Sequence, residues 1–289
     1  MENSIVIIGV GRIGSKIAEK LSKYHKNILL IDRDTIEKSN IETGYKFTIE
    51  CLNKPKAIFI KEELNLSNAI VEDLSSDNIN IIKNFKLIID GTDNFETRFL
   101  INDFAVKHSM PYIFASVIQN KGMVFPILPN KPCLRCLFNN PKNFESCETL
   151  GVELNIVEKV TDKQLSLALE ILNNKNFTPE LLHFKDNKEN KIKVNKKSNC
   201  PCCSKRNFEF LNSKPLTQII KFCGSGNYMI KGEFDFNKLK ENLKDEIKDF
   251  GTAFNYKGIM IYKNKVMLKA DSKPKAKNLY LNLMGNLDG

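Results

Sequence analysis

The sequence predicts an α/β fold: a Rossmann-like mixed sheet, parallel in its first half and partly antiparallel in its second, with a small α+β module at the C-terminal end. Three observations predict it. Residues 4–8 form a short apolar, β-branched run that leads into Gly9-x-Gly11-x-x-Gly14. Strand-like runs then alternate with helix-like stretches to about residue 116, the pattern of a parallel sheet. Beyond that point strand-like runs follow one another without helices between them, so part of the sheet is antiparallel.

Each element has its own reason. Gly9 permits the tight turn after the first strand, Gly11 lets backbone approach a phosphate, and Gly14 lets helix and strand pack closely. Residues 15–23 read as an amphipathic helix with Ile17, Ala18 and Leu21 inward. The start of that helix offers unpaired N–H groups to an anion. Leu29-Leu30-Ile31-Asp32 is a second strand, ending in the acids Asp32 and Asp34. Residues 40–66 hold a loop and then a helix at 56–64, and 79–82 is a short strand or a helix edge. Residues 86–90 are a buried strand that ends in the acidic loop Gly91-Thr92-Asp93-Asn94. A helix covers 95–108, strands cover 112–116 and 122–128, and 161–172 is an amphipathic helix. A polar, charged stretch occupies 185–198. After residue 205 come strands at 218–222 and 228–230, a helix at 237–249, a hairpin of 258–262 with 265–270, and a last helix at 275–284. The division this predicts is 1–204 and 205–289.

Composition narrows the function. The 289 residues suffice for a full core, in one large domain or two smaller ones. There is no apolar run of membrane-spanning length and no signal-peptide pattern, so a soluble cytoplasmic protein without membrane attachment is expected. The net charge of +10 suits an acidic partner. Much of it lies late, with 16 Lys and Arg against 9 Asp and Glu in residues 205–289. Lysines interspersed with acids, rather than clustered with aromatics, argue against nucleic acid as that partner.

Eight cysteines in such a chain are not a disulfide framework. Cys133-x-x-Cys136 and Cys200-x-x-Cys203 are two hooks that suit a tetrahedral thiolate zinc site. A closed shell of four sulfurs leaves no position for water, so this zinc is structural. It would pin together segments 64 residues apart and hold the crossover between them. Cys202, inside the second hook, is an alternative ligand.

Taken together the motifs resemble the ThiF/MoeB/HesA family, relatives of the ubiquitin-activating enzymes. The resemblance rests on Gly9-x-Gly11-x-x-Gly14, Asp32-x-Asp34, Ser39-Asn40, Lys54-Pro55-Lys56-Ala57, Asp90-x-Thr92-Asp93-Asn94 with Arg98, Cys133-x-x-Cys136, Cys147-x-x-x-Gly151-Val152 and Cys200-x-x-Cys203. Phe222-Cys223-Gly224 and the last helix look like the C-terminal module of the thiazole-biosynthesis branch.

The resemblance implies an ATP- and Mg²⁺-dependent adenylyltransferase. It would act on the C-terminal Gly-Gly of a ubiquitin-like sulfur carrier, for thiamine or molybdopterin biosynthesis, and work as a homodimer. It implies that Gly9, Gly11 and Gly14 shape the phosphate site, that Asp32 holds the ribose, and that Asp34, Ser39, Asn40 and Asn94 line the nucleotide. Lys56 and Arg12 would neutralise phosphate charge, and Asp93 would bind the metal. Two readings stand for Cys147: a nucleophile that accepts the carrier, or a structural residue. Two stand for Asp93: a metal ligand, or the cap of the helix after it, a role for which Asn94 competes.

Departures from the family pattern also count. Thr43 stands where an arginine that reaches the phosphates is expected, and the family's N-terminal arm with a second arginine is absent from the sequence. Glu153-Leu154-Asn155 replaces a small-residue, proline-containing turn. A catalytically weakened scaffold that binds nucleotide or carrier is therefore the alternative. An NAD-dependent oxidoreductase and a peptide-adenylating relative are the remaining ones.

Overall fold

The computed structural model describes residues 4–43, 47–138, 153–185, 188–212, 219–221 and 227–285. The chain forms two compact units, Met1–Ser213 and Lys214–Gly289. Cys147, Gly151, Val152 and the 222–224 tripeptide lie outside the described residues.

The first unit runs β1 (Ile5–Ile8), α1 (Arg12–Leu21), β2 (Ile28–Asp32), α2 (Lys38–Thr43), α3 (Lys56–Leu64), β3 (Asn68–Val71), β4 (Leu87–Asp90), α4 (Phe95–Lys107), β5 (Tyr112–Ile118), β6 (Lys121–Ile127), α5 (Leu134–Leu137), α6 (Leu154–Leu172), β7 (Glu180–Lys185), β8 (Lys188–Lys193) and α7 (Glu209–Asn212). Its strands form one sheet in the order β3-β2-β1-β4-β5-β6-β7-β8. Pairing is parallel from β3 to β5 and antiparallel from β5 to β8. The predicted mixed sheet is the one observed.

The central parallel strands β1, β2 and β4 are apolar up to the aspartates that end β2 and β4, because both sheet faces are covered there. Ile5 and Ile7 of β1 join one buried cluster with Ile17 and Leu21 of α1 and Val160 of α6. Val6 and Ile8 point the other way, into a cluster with Phe99 and Phe104 of α4 and with Cys133, Cys136 and Cys200.

Several expectations need correction. β3 lies where no strand was expected, because only its parallel register with β2, Leu29 opposite Asn68, holds so short a segment in place. Residues 79–82 are a 3-10 helix. The helix expected at 161–172 begins two turns earlier, at Leu154, which is 68% exposed, and the added turns bury Ile156, Val157 and Val160. The charged 185–198 stretch contains all of β8, a sheet-edge strand exposed at every residue, which stays extended by pairing with β7.

The second unit runs β9 (Ile219–Lys221), β10 (Asn227–Lys231), α8 (Phe236–Asn242), β11 (Ile247–Asp249), β12 (Ala253–Tyr256), β13 (Ile259–Tyr262), β14 (Lys265–Lys269) and α9 (Lys273–Met284). It is an antiparallel sheet ordered β11-β12-β13-β14-β10-β9. Tyr228, Ile230, Phe254, Ile261, Val266 and Leu268 share a core with Phe236 and Leu239 of α8 and Ala276 and Leu283 of α9. The helix expected at 237–249 stops at Asn242, and its last three residues pair with β12 as β11.

Candidate functional site

A cleft of about 400 Å³ opens at the C-terminal ends of the parallel strands, where ligands sit in open α/β sheets. Gly9 and Gly11 floor it from the β1–α1 turn, and Arg12, the first residue of α1, lines it beside them. Asp32 and Asp34 come from the end of β2, Asn40 from α2, Lys56 from the start of α3, and Asp93 and Asn94 from the loop after β4. Nine sequence-predicted residues thus share one cavity. Gly14 and Ser39 do not line it.

The glycines divide by what surrounds them. Gly9 has φ +81°, a left-handed conformation that disfavours a side chain. Gly91, at the end of β4, is pressed against the same turn, and a Cβ there would stand 2.4 Å from the carbonyl oxygen of Gly9. Around Gly11, by contrast, a Cβ would meet nothing within 4 Å. Internal packing does not demand that glycine.

Asp32 is buried. Its Oδ2 accepts the N–H of Val10 at 2.5 Å and its Oδ1 accepts that of Asp34 at 2.7 Å. Burial, and then the neighbouring Asp34 carboxylate, push its pKa up to about 6 despite these bonds. Asp34 shifts the other way. Burial opposes its ionisation, but Lys56 and Arg33 beside it hold it below the usual carboxylate range. The Lys56 ammonium lies 3.4 Å from Asp34 Oδ2. Burial works against its charge, yet Asp34 and Asp32 keep it firmly protonated. Lys56 is therefore a held cation inside the cleft, as charge neutralisation requires.

The loop after β4 is fixed from beneath. Asp90 is fully buried and its carboxylate accepts the Thr92 N–H (2.8 Å), the Thr92 hydroxyl (2.6 Å) and the Tyr112 hydroxyl (2.7 Å). Arg98 donates from Nη2 to the carbonyl oxygens of Thr92 and, at 3.1 Å, Ala115. The cap of α4 is Asn94, whose Oδ1 accepts the Thr97 N–H at 2.8 Å. That assignment leaves the Asp93 carboxylate at the cleft without the competing role of cap.

Sequence reasoning missed Arg33 and Asp73, which also line the cleft. Arg33 Nη1 lies 2.7 Å from Asp73 Oδ1, and its Nε lies 3.6 Å from Asp34. The partners are 40 residues apart, and only the β2–β3 pairing brings them together. The one available signal was an arginine directly after the strand-ending Asp32.

On the sheet face that α4 covers, the sulfurs of Cys133, Cys136, Cys200 and Cys203 lie within 4.8 Å of one another. Cys133 is 3.6 Å from Cys200, and Cys136 is 3.4 Å from Cys203. A tetrahedral thiolate shell at about 2.3 Å from zinc has sulfur–sulfur edges of about 3.8 Å, so the donor set fits zinc. Cys202 is turned instead to Asn102, whose Nδ2 donates to its sulfur at 3.3 Å. The other amide atom of Asn102 accepts the Leu134 N–H at 2.8 Å. One α4 residue thereby positions both hooks.

The sequence profile of the ThiF family matches residues 1–204. The sulfur carrier protein ThiS adenylyltransferase of Bacillus subtilis is 30% identical over 266 residues, spanning 86% of this chain and 79% of its own. The sulfur carrier protein adenylyltransferase of Thermus thermophilus is 28% identical over 242 residues, spanning 76% and 88%. Among solved structures, Escherichia coli MccB with ATP superposes at a TM-score of 0.59 with 17% identity, over 70% of this chain and 67% of that one. The last is a likeness of fold. With the cleft, the hooks and the relatives agreeing, the chain belongs to the ThiF family.

Proposed function

We propose that this protein is an ATP-dependent adenylyltransferase that activates the C-terminal glycine of a ubiquitin-like sulfur carrier. One observation carries the reading: an open glycine turn, a ring of acids and the cation of Lys56 converge in a single strand-end cleft. The named activity of relatives that match most of the chain supports it.

In this reaction a carrier carboxylate oxygen forms a bond to the α-phosphorus of ATP. The bond from that phosphorus to the bridging oxygen breaks, and pyrophosphate leaves. The protein's task is positioning and charge neutralisation. Gly9 and Gly11 admit the phosphates, with Gly14 packing the turn that holds them. Asp32 and Asp34 hold the ribose side, next to Asn40 and Ser39 on α2. Lys56 and Arg12 balance the charge of the leaving pyrophosphate. Asp93, at the end of β4 next to Asn94, would hold Mg²⁺, which supplies further neutralisation when bound.

The same proposal includes a structural zinc on Cys133, Cys136, Cys200 and Cys203. It also includes a homodimer in the cytoplasm, a reducing compartment that suits free thiolates. Among the described residues no helix is long and apolar enough to cross a membrane. Cys147 remains a candidate for holding the carrier covalently. A scaffold without efficient turnover is the second reading, favoured by Thr43 at the end of α2 where the family pattern expects an arginine.

Pyrophosphate exchange into ATP, dependent on a purified carrier, tests the first reading. Exchange that disappears in Asp93→Ala supports it. Tight carrier and nucleotide binding with no exchange supports the scaffold.

A further inference from the structure

The backbone that leads to Asp93 is held at four points. The Gly91 N–H donates to the Ile8 carbonyl at 2.8 Å, and the Thr92 N–H donates to Asp90 Oδ1. The Thr92 carbonyl accepts from Arg98. Those three partners lie in β1, β4 and α4. The fourth comes from much later in the chain. Gln164, in the middle of α6, donates from Nε2 to the Asp90 carbonyl at 2.9 Å, across 74 residues of sequence.

That bond falls at a particular place. β4 and β5 pair at Ile88 with Tyr112 and at Ile89 with Ile113, and their ladder stops there. The Asp90 carbonyl lies beyond the last rung. The residues that follow on each strand, Gly91 and Thr92 on one side and Ser116 and Val117 on the other, line the cleft. Arg98 reaches this junction from the α4 side and bridges the carbonyls of Thr92 and Ala115. Gln164 reaches it from the α6 side, where Val160 and Ala168 pack in one cluster with Ile89.

Packing does not explain an amide at this position. Gln164 is fully buried, and among the described residues its Oε1 has no hydrogen-bond partner. A buried acceptor left unpaired is a cost that leucine or methionine would avoid in the same space. What the amide alone supplies is a donor to Asp90, three residues before Asp93. Mg²⁺ demands near-ideal octahedral geometry, so a carboxylate that serves it must be held in one place.

Resting on the reading of Asp93 above, we infer that Gln164 is a positioning residue, which ties the end of β4 to α6 and so fixes the loop that presents Asp93 to the metal.

The test is calorimetric binding of ATP with Mg²⁺ and of ATP in EDTA, with melting temperatures taken alongside. Wild-type protein is expected to bind Mg-ATP at least about tenfold more tightly than metal-free ATP, and Asp93→Ala to remove most of that preference. Gln164→Leu is expected to lower the preference at least about threefold and to leave the affinity for metal-free ATP at its wild-type value. Gln164→Met, closer in shape to glutamine and equally without a donor, should do the same.

A preference that both variants keep overturns the inference. Equal weakening of the two forms of ATP overturns it as well, because a residue that only stabilises the fold would act in that way. Failure of both variants to fold counts against it for the same reason. A preference that is absent from the wild type, or that Asp93→Ala keeps, overturns the metal role of Asp93 and this inference with it, while the nucleotide reading survives. Wild-type protein that binds neither form overturns the nucleotide reading itself.

Discussion

Gly14 sits against Gly9 so closely that a Cβ on Gly14 would stand 1.8 Å from the carbonyl oxygen of Gly9. Gly11, between them, faces open cleft. Alanine is therefore expected to act oppositely at the two positions. Gly14→Ala must displace backbone and should cost several kcal/mol, on the order of 3–5. Gly11→Ala should fold with a melting temperature near wild type and lose Mg-ATP affinity at least about tenfold. Thermal melts alongside calorimetry decide this, and a stable Gly14→Ala protein would contradict the packing.

Lys56→Ala and Asp93→Ala are expected to weaken Mg-ATP binding about 10–100-fold each, the loss of one interaction with a charged group. They should differ in a second respect. Removing Lys56 takes away the nearest cation to Asp34, so the Asp34 carboxyl should titrate higher in Lys56→Ala and unchanged in Asp93→Ala. Carboxyl-detected NMR of labelled aspartate reads this directly, and equal shifts in both variants would speak against the 3.4 Å pair.

The raised pKa of Asp32, about 6, makes a prediction about pH. The folded protein holds this proton more tightly than the unfolded chain does. The resulting stability is present below the ordinary carboxylate pKa and is lost as pH rises to about 6. The shift corresponds to about 3 kcal/mol. Wild-type stability minus that of Asp32→Asn should fall between about pH 4 and pH 6 and then stay flat. Urea titrations across that range measure it, and parallel profiles would rule it out. Asp34, held low by its neighbours, contributes with the opposite sign and only at more acid pH.

One zinc per chain is expected by emission spectroscopy. Cys133→Ser should lose it, and Cys202→Ser should keep it, because Cys202 is engaged with Asn102. The metal closes a 64-residue loop between Cys136 and Cys200. Chain entropy alone then predicts a loss of about 4 kcal/mol on removing it. For a chain of this size that lowers the melting temperature by roughly 10 °C. Loss of zinc from Cys202→Ser would instead make Cys202 a ligand.

Legibility in the sequence followed the range over which each feature is determined. The β1 turn, the 86–90 strand and the 258–270 hairpin were readable because adjacent residues dictate them. β8 was not, since Lys188–Lys193 carries no apolar alternation and is a strand only because β7 pairs with it. Within the cleft, nine residues were visible as motifs. Arg33 and Asp73 were not, because neither has meaning until parallel pairing of β2 and β3 sets them 2.7 Å apart. The two α4 residues that brace the hook segments, Asn102 and Asp103, escaped notice for the same reason. Asp103 Oδ2 accepts the Phe210 N–H at 2.9 Å, a partner over a hundred residues away.

Among the described residues, all that line the cleft fall between Ile8 and Ile118, whereas the second cysteine hook ends at Cys203. On a ribosome the intervening 85 residues take roughly 4–17 s at about 5–20 residues per second. All the strands that carry the cleft are thus synthesised seconds before Cys200 and Cys203 emerge. Any metal that the four sulfurs hold is therefore captured late in the life of the nascent chain, after the strands around the cleft have had time to assemble.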